Sequence, residues 1–203
     1  LTLNGNNTFT GLITINNGTL ATGASGFLAD TANITVNNGG TYQVGAADTI
    51  GSLSGAGNTT LNATLTISNG GNYSGSLSGS SQVNLSGGTL TLSGNNSART
   101  GDLRVYNGAT LVIASNGALT SGTLSGQNTG FTVRSSDSTD RTINAAFQKN
   151  LGGNAPYIFG SLNTGNLTFS GSVSNVNNQD LYFQVDNSWT QFNGGWSGTA
   201  GLI

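Results

Sequence analysis

Residues 90–111 read LTLSGNNSARTGDLRVYNGATL, and residues 1–20 read LTLNGNNTFTGLITINNGTL. Each stretch opens on alternating apolar and polar residues, passes through Gly and Asn, and returns to alternation. Period two puts the apolar side chains on one face and the polar ones on the other. The same alternation recurs in Ile13-Thr14-Ile15, Ile34-Thr35-Val36, Leu65-Thr66-Ile67, Val83-Asn84-Leu85, Leu103-Arg104-Val105 and Leu167-Thr168-Phe169. These segments read as short, half-buried strands. Corners follow them at Asn17-Gly18, Asn38-Gly39, Asn69-Gly70, Gly87-Gly88, Asn107-Gly108 and Asn116-Gly117, because Asn and Gly tolerate the left-handed backbone of tight turns.

Asn-Gly also marks two-residue hairpins, so spacing must decide. The corner glycines 18, 39, 70, 87 and 108 are separated by 21, 31, 17 and 21 residues. That is too long for one hairpin arm when strands run about 5–6 residues. It suits a solenoid coil of three short strands and three corners. A single coil cannot bury its inner face, whereas stacked coils share a continuous core. The expected fold is all-β, a right-handed parallel β-helix of about nine to ten coils, roughly 45 Å long at about 4.8 Å per coil. Inner positions take Leu, Ile, Val or Phe; outer positions take Thr, Asn or Ser. No helix is expected, and Ala145–Lys149 is read as a loop before Gly152-Gly153.

Composition narrows the function. Gly, Asn, Thr and Ser make up 113 of 203 residues, twelve residues are charged, and the net charge is −2. Low net charge, abundant β-branched residues and a clear period set the chain apart from disordered low-complexity sequence. Five Lys and Arg are too few for a phosphate-tracking stripe, so no nucleic-acid partner is expected. No apolar run approaches the about 20 residues of a membrane span, so no membrane insertion of this segment is expected. Cys is absent, which excludes disulfides and Cys-based metal sites. Leu1 already stands inside a repeat, which points to a piece cut from a longer protein.

Two divisions are expected: regular coils over 1–130, then continued β-helix over 131–203 with a lateral loop around 135–165 and more irregular terminal coils. The second part holds Arg134, Asp137, Asp140, Arg141 and Lys149, and later Tyr182, Phe183, Trp189, Phe192 and Trp196.

The chemistry expected is mostly negative. His is absent, which removes the usual base of a nucleophilic triad. A Ser-Lys pair would have to use Lys149, the only lysine, and no motif supports it. Asp137 and Asp140 lie close enough to suggest a catalytic or calcium-binding pair, but read more simply as a loop tip in which Asp bonds its own backbone. No catalytic residue, metal or cofactor is expected. Outward Thr2, Thr14, Thr35, Thr66, Thr91 and Thr168 suit exposed strand positions and are too irregular for a flat water-ordering rank. Nine Asn-x-Ser/Thr acceptors follow from the abundance of Asn, Ser and Thr. Gln179–Gln184 is read as part of an alternating strand. Tyr182, Trp189 and Trp196, near Asn193-Gly194-Gly195, form the one candidate ligand contact. Their faces suit sugar C–H surfaces, and they equally suit the cap that a solenoid end requires.

The stretches Leu1–Leu20 and Leu90–Leu111, with Leu-Thr-Leu-Asn/Ser-Gly-Asn-Asn followed by Gly and then Asn-Gly-x-Thr-Leu, resemble the passenger-associated repeat of Gram-negative autotransporters. Asp140–Ala146 and Leu167–Gly171 look like weaker parts of it. The copy at 90 departs from the pattern at Arg99, Asp102 and Arg104. The resemblance implies a secreted or surface-displayed passenger of a Gram-negative bacterium, covalently continuous with a C-terminal β-barrel translocator. It implies a non-catalytic adhesin or self-association scaffold acting through a polar lateral face. Its partners would be a host-cell surface protein or glycan, or the same protein on neighbouring cells. A toxin or signalling passenger acting on a host receptor is the alternative, and a polysaccharide lyase or hydrolase a third.

Overall fold

The structure, a computed structural model, describes residues 1–23, 28–106, 108–127, 130–150, 156–176 and 180–198. The expected positions Asn107, Gly152, Gly153 and Gln179 lie outside them. The described residues form 25 short strands and no helix. The strands pair in parallel and stack in about nine turns, which makes the molecule a parallel β-helix.

Three walls enclose the core. A long wall of nine strands runs from Leu12–Ile15 to Phe183–Val185. A second wall of eight strands runs from Asp48–Ile50 to Trp196–Gly198. The third wall is split. Its first part has five strands, from Thr2–Leu3 to Ser76–Ser78. Its second part has three: Arg141–Ile143, Leu167–Phe169 and Thr190–Phe192. Between them, residues 93–102 and 114–122 cross without regular strands, and side chains supplement the few main-chain bonds that remain, such as Thr100 N–H to the Gly79 carbonyl at 3.0 Å. Asn96 is buried there; its Oδ1 accepts the Leu77 N–H at 2.7 Å and its Nδ2 donates to the Ala118 carbonyl at 3.0 Å. Arg99 is buried alongside and donates to the carbonyls of Gly101 and Ser121.

The corner glycines adopt the conformation that their spacing demands: Gly18, Gly39, Gly70, Gly88 and Gly108 all have positive φ. They do not share one corner. Gly18 and Gly39 turn the chain from the long wall to the third, whereas Gly70, Gly88 and Gly108 turn it from the second wall to the long one. The 31-residue interval between Gly39 and Gly70 is therefore a change of corner, not an enlarged coil. The two near-copies likewise occupy different walls. Thr2–Leu3, Leu12–Ile15 and Gly18–Thr22 alternate between third and long walls, whereas Thr89–Leu92, Leu103–Val105 and Thr110–Ile113 alternate between long and second. The sequence repeats a local solution, strand then corner then strand, that serves any wall.

Inward columns run the length of the rod. In the long wall Ile13, Ile34 and Leu53 lie in register, as do Leu90, Leu111, Val133 and Phe159 further on. Up to residue 124 the core is mainly Leu, Ile and Val; from Phe131 onward it is built on Phe131, Phe147, Tyr157, Phe159 and Phe169. The coil lengthens in sequence where the rings begin. Register partners Ile13 and Ile34 are 21 residues apart, while Val133 and Phe159 are 26 apart.

Two expectations for residues 135–165 are corrected. Ala146–Lys149 is a strand of the second wall, not a loop, because Phe147 alternates inward under Val173. Arg141–Ile143 and Tyr157–Phe159 are also rungs of the stack, so the stretch 135–165 is not one lateral loop. The long and second walls continue past residue 130 without a break.

Candidate functional site

Alternation sends every second side chain outward, and the stacking aligns these into columns. On the long wall Thr14, Thr35, Ser54, Asn72 and Thr91 form one outward column. On the third wall Thr41, Asn58 and Ser76 form another. Hydroxyl and amide groups bond from rung to rung: Asn37 Nδ2 to Asn16 Oδ1 at 2.7 Å, Ser52 Oγ to Asn33 Oδ1 at 2.8 Å, and Ser76 Oγ to Asn58 Oδ1 at 2.7 Å. Residues 1–93 carry only two acidic or basic side chains, Asp30 and Asp48, and Asp48 is buried. The outward columns of the long and third walls in this half are polar and uncharged, with the rung repeat of about 4.8 Å, while Asp30, Phe9 and Leu12 are exposed beside them. The outward threonines do not form one rank. Thr66 is on the second wall, and Thr2 and Thr168 are on separate parts of the third.

The far end of the rod is aromatic. Phe169 and Phe192 stack with centroids 4.7 Å apart, and Phe183 and Phe192 with centroids 5.1 Å apart. Trp196 sits above Val173 on the last described rung of the second wall. Its ring lies 5.5 Å from Phe192 and 6.0 Å from Phe183, yet it is 47% exposed. Trp189 is 42% exposed, and its main-chain N–H donates to Asn166 Oδ1 at 3.0 Å. Tyr182 is half-buried, and its carbonyl accepts the Tyr157 N–H at 2.8 Å. Among the described residues no ring contact joins Trp189 or Tyr182 to Trp196. The three residues share one end of the rod without forming a single ring cluster.

The charged groups mostly satisfy one another or the backbone. Asp137 accepts from Arg141 at 2.9 Å, from the Thr139 N–H at 2.8 Å and from Ser136 Oγ at 3.0 Å. The Thr139 bonds, more than Arg141, hold its pKa below the ordinary carboxylate value. Asp140 turns away to accept the Asn166 N–H. Among the described residues no three His, Cys, Asp or Glu side chains converge.

Other functional groups lie inside the rod. Asp48 is 6% exposed and occupies an inward position in register with Leu65. It accepts the N–H groups of Leu28 and Thr49 and borders a cleft of about 590 Å³ that also touches Asp30, Thr49, Thr64 and Thr66. Burial raises its pKa, and those N–H bonds partly oppose the rise. Arg99 is pushed down to about 10 by burial. Lys149 and Asn175 are buried on consecutive rungs of the second wall. A signal for Lys149 was available, because Phe147-Gln148-Lys149 alternates and places the lysine on the face of the phenylalanine. Asn96 carried no such signal, since its segment does not alternate.

No protein-family model, curated protein or solved structure matches the chain.

Proposed function

We propose that this segment is a non-catalytic self-association or adhesion scaffold, displayed outside a Gram-negative cell as part of an autotransporter passenger. The observation that supports it most is the pair of uncharged outward columns, Thr14, Thr35, Ser54, Asn72 and Thr91 on the long wall and Thr41, Asn58 and Ser76 on the third. Two such faces brought together meet no like-charge repulsion, and each offers many weak donors and acceptors at the same repeat. The similarity of Leu1–Leu20 and Leu90–Leu111 to passenger repeats is what supports the display route and a downstream translocator. Partners on this reading are copies of the same protein on neighbouring cells, or a host-surface protein or glycan.

The test is sedimentation of the purified chain over a concentration series, together with clumping of beads that carry it. Association that persists in added NaCl supports the reading, because no ion pairs hold the faces together. Introducing Thr35→Lys, Ser54→Lys and Thr91→Lys places like charges in one column and is expected to abolish clumping. Clumping unchanged by all three, or no association at any concentration, overturns the reading.

A second reading has its own observation. Trp189 and Trp196 are exposed rings at one end, close to amide side chains, as a sugar-binding surface requires. A toxin or signalling passenger would instead show saturable binding to a host-cell receptor. Glycan-array binding lost on Trp189→Ala or Trp196→Ala, with clumping intact, would favour the end over the lateral face.

A further inference from the structure

Lys149 and Asn175 are register partners on consecutive rungs of the second wall. Both point inward, in the column that carries Ile50, Ile67, Leu85 and Val105 lower down. They are 1% and 5% exposed. Adjacent parallel strands lie about 4.8 Å apart, a separation that a lysine side chain spans. Glycines bracket the pair. Gly126 lies beneath Lys149 and Gly198 above Asn175. A Cβ on Gly126 would stand 2.3 Å from the Tyr157 ring and 2.9 Å from that of Phe131. The lysine stem thus rises from a rung already filled by aromatic edges. A Cβ on Gly198 would stand 3.1 Å from the Asn175 Cβ, so no side chain separates Asn175 from the rung above it. The Lys149 ammonium donates to the main-chain carbonyl of Asp180, and the Asp180 carboxylate lies near enough for its charge to act on the ammonium.

We infer that Lys149 and Asn175 form a modification site, an intramolecular isopeptide bond from Lys149 Nζ to Asn175 Cγ. The Nζ lone pair attacks Cγ, and a new C–N bond forms. The bond from Cγ to Nδ2 breaks, and Nδ2 leaves as ammonia with the proton released by Nζ. The Asp180 carboxyl carries that proton across. The products are one secondary amide and one ammonia, with no oxidant or reductant consumed. Burial, which lowers the Lys149 pKa against the opposing influence of Asp180, favours the neutral nucleophilic amine that the attack requires. The bond would tie two consecutive turns of the aromatic half of the rod.

Intact-mass spectrometry of the purified chain tests this directly. The expected mass is lower than that of the sequence by one ammonia, and trypsin leaves the chain uncut after Lys149. Peptide mapping should find a branched peptide joining the segments around Lys149 and Asn175. Lys149→Arg and Asn175→Ala should each restore full mass, and Asp180→Asn should leave most of the protein unlinked. Full mass in the unaltered chain overturns the inference, whether or not the variants fold. So does an ammonia loss that maps to a succinimide at an Asn-Gly pair such as Asn17-Gly18 or Asn69-Gly70, which mild base hydrolyses to Asp and isoaspartate whereas an isopeptide bond survives.

Discussion

Phe169 and Phe192 lie one above the other on the third wall, with ring centroids 4.7 Å apart and planes 14° from parallel. Phe169 is sealed, whereas Phe192 is partly exposed and Trp196 beyond it more so. Burial therefore declines along the ring stack toward the end of the rod. Phe169→Ala should cost about 3–5 kcal/mol, the range for large buried aromatics. Trp196→Ala should cost about 1 kcal/mol, because half its surface already meets water and exposed positions contribute little. Urea unfolding of both variants checks the gradient. Equal losses would mean that Trp196 is covered in solution.

Asn96 bonds to the turns on both sides of its own where the third wall is interrupted. Replacing it with Leu keeps its bulk but strands the Leu77 N–H and the Ala118 carbonyl, both of which it satisfies. Each orphaned buried group costs about 1–3 kcal/mol, so Asn96→Leu should destabilise by about 2–5 kcal/mol. Hydrogen exchange should locate the damage at the Leu77 amide before any loss at distant rungs such as Ile34. Uniform loss of protection would show that the rungs open as one unit.

Leu92 and Val105 are both fully buried, on the long and second walls respectively. Leu92→Ala should destabilise by about 2–4 kcal/mol through lost burial and the cavity left behind. Val105→Ala removes less volume and should cost less. Chemical denaturation of each variant measures the difference. A loss below about half a kcal/mol at both would be incompatible with inward columns at these registers.

Much of the rod was legible because one rule governs it. Alternation within Ile34-Thr35-Val36 or Leu90-Thr91-Leu92 fixes which residues face in, and a wall with one wet face allows no other register. Gly39 and Gly88 marked corners because few other residues adopt that backbone. The assignment of strands to walls was not legible, since Leu1–Leu20 and Leu90–Leu111 satisfy the same local rule on different walls. The break in the third wall was hidden for a related reason. Residues 93–102 have no period, and nothing in Asn96 alone shows that it bonds to the rungs below and above. The uncharged outer columns followed from composition and alternation together. Asp48 and Lys149 followed the alternation too, but their charge argues for the surface when residues are read singly.

Asp48 makes the rod's stability depend on pH in an unusual direction. Buried carboxylates with bound partners commonly have lowered pKa values, and their proteins lose stability in acid. Here burial dominates, and the folded-state pKa of Asp48 is raised above its unfolded value. Between those two values the folded chain binds more protons than the unfolded one, so stability falls as pH rises through that window. The contribution is fully present below the unfolded pKa and is lost above the folded one. Asp137 runs the other way, its folded pKa being lowered by the Thr139 bonds, and its window lies below the unfolded carboxylate value whereas that of Asp48 lies above it. Asp48→Asn separates them, since Asn still offers an oxygen to the Leu28 or Thr49 N–H but does not titrate. The difference in unfolding free energy between Asp48→Asn and the unaltered chain should grow in favour of the variant from acid to neutral pH. A difference that stays flat across that range would mean that the Asp48 carboxylate is hydrated in solution and that the cleft beside it is open to water.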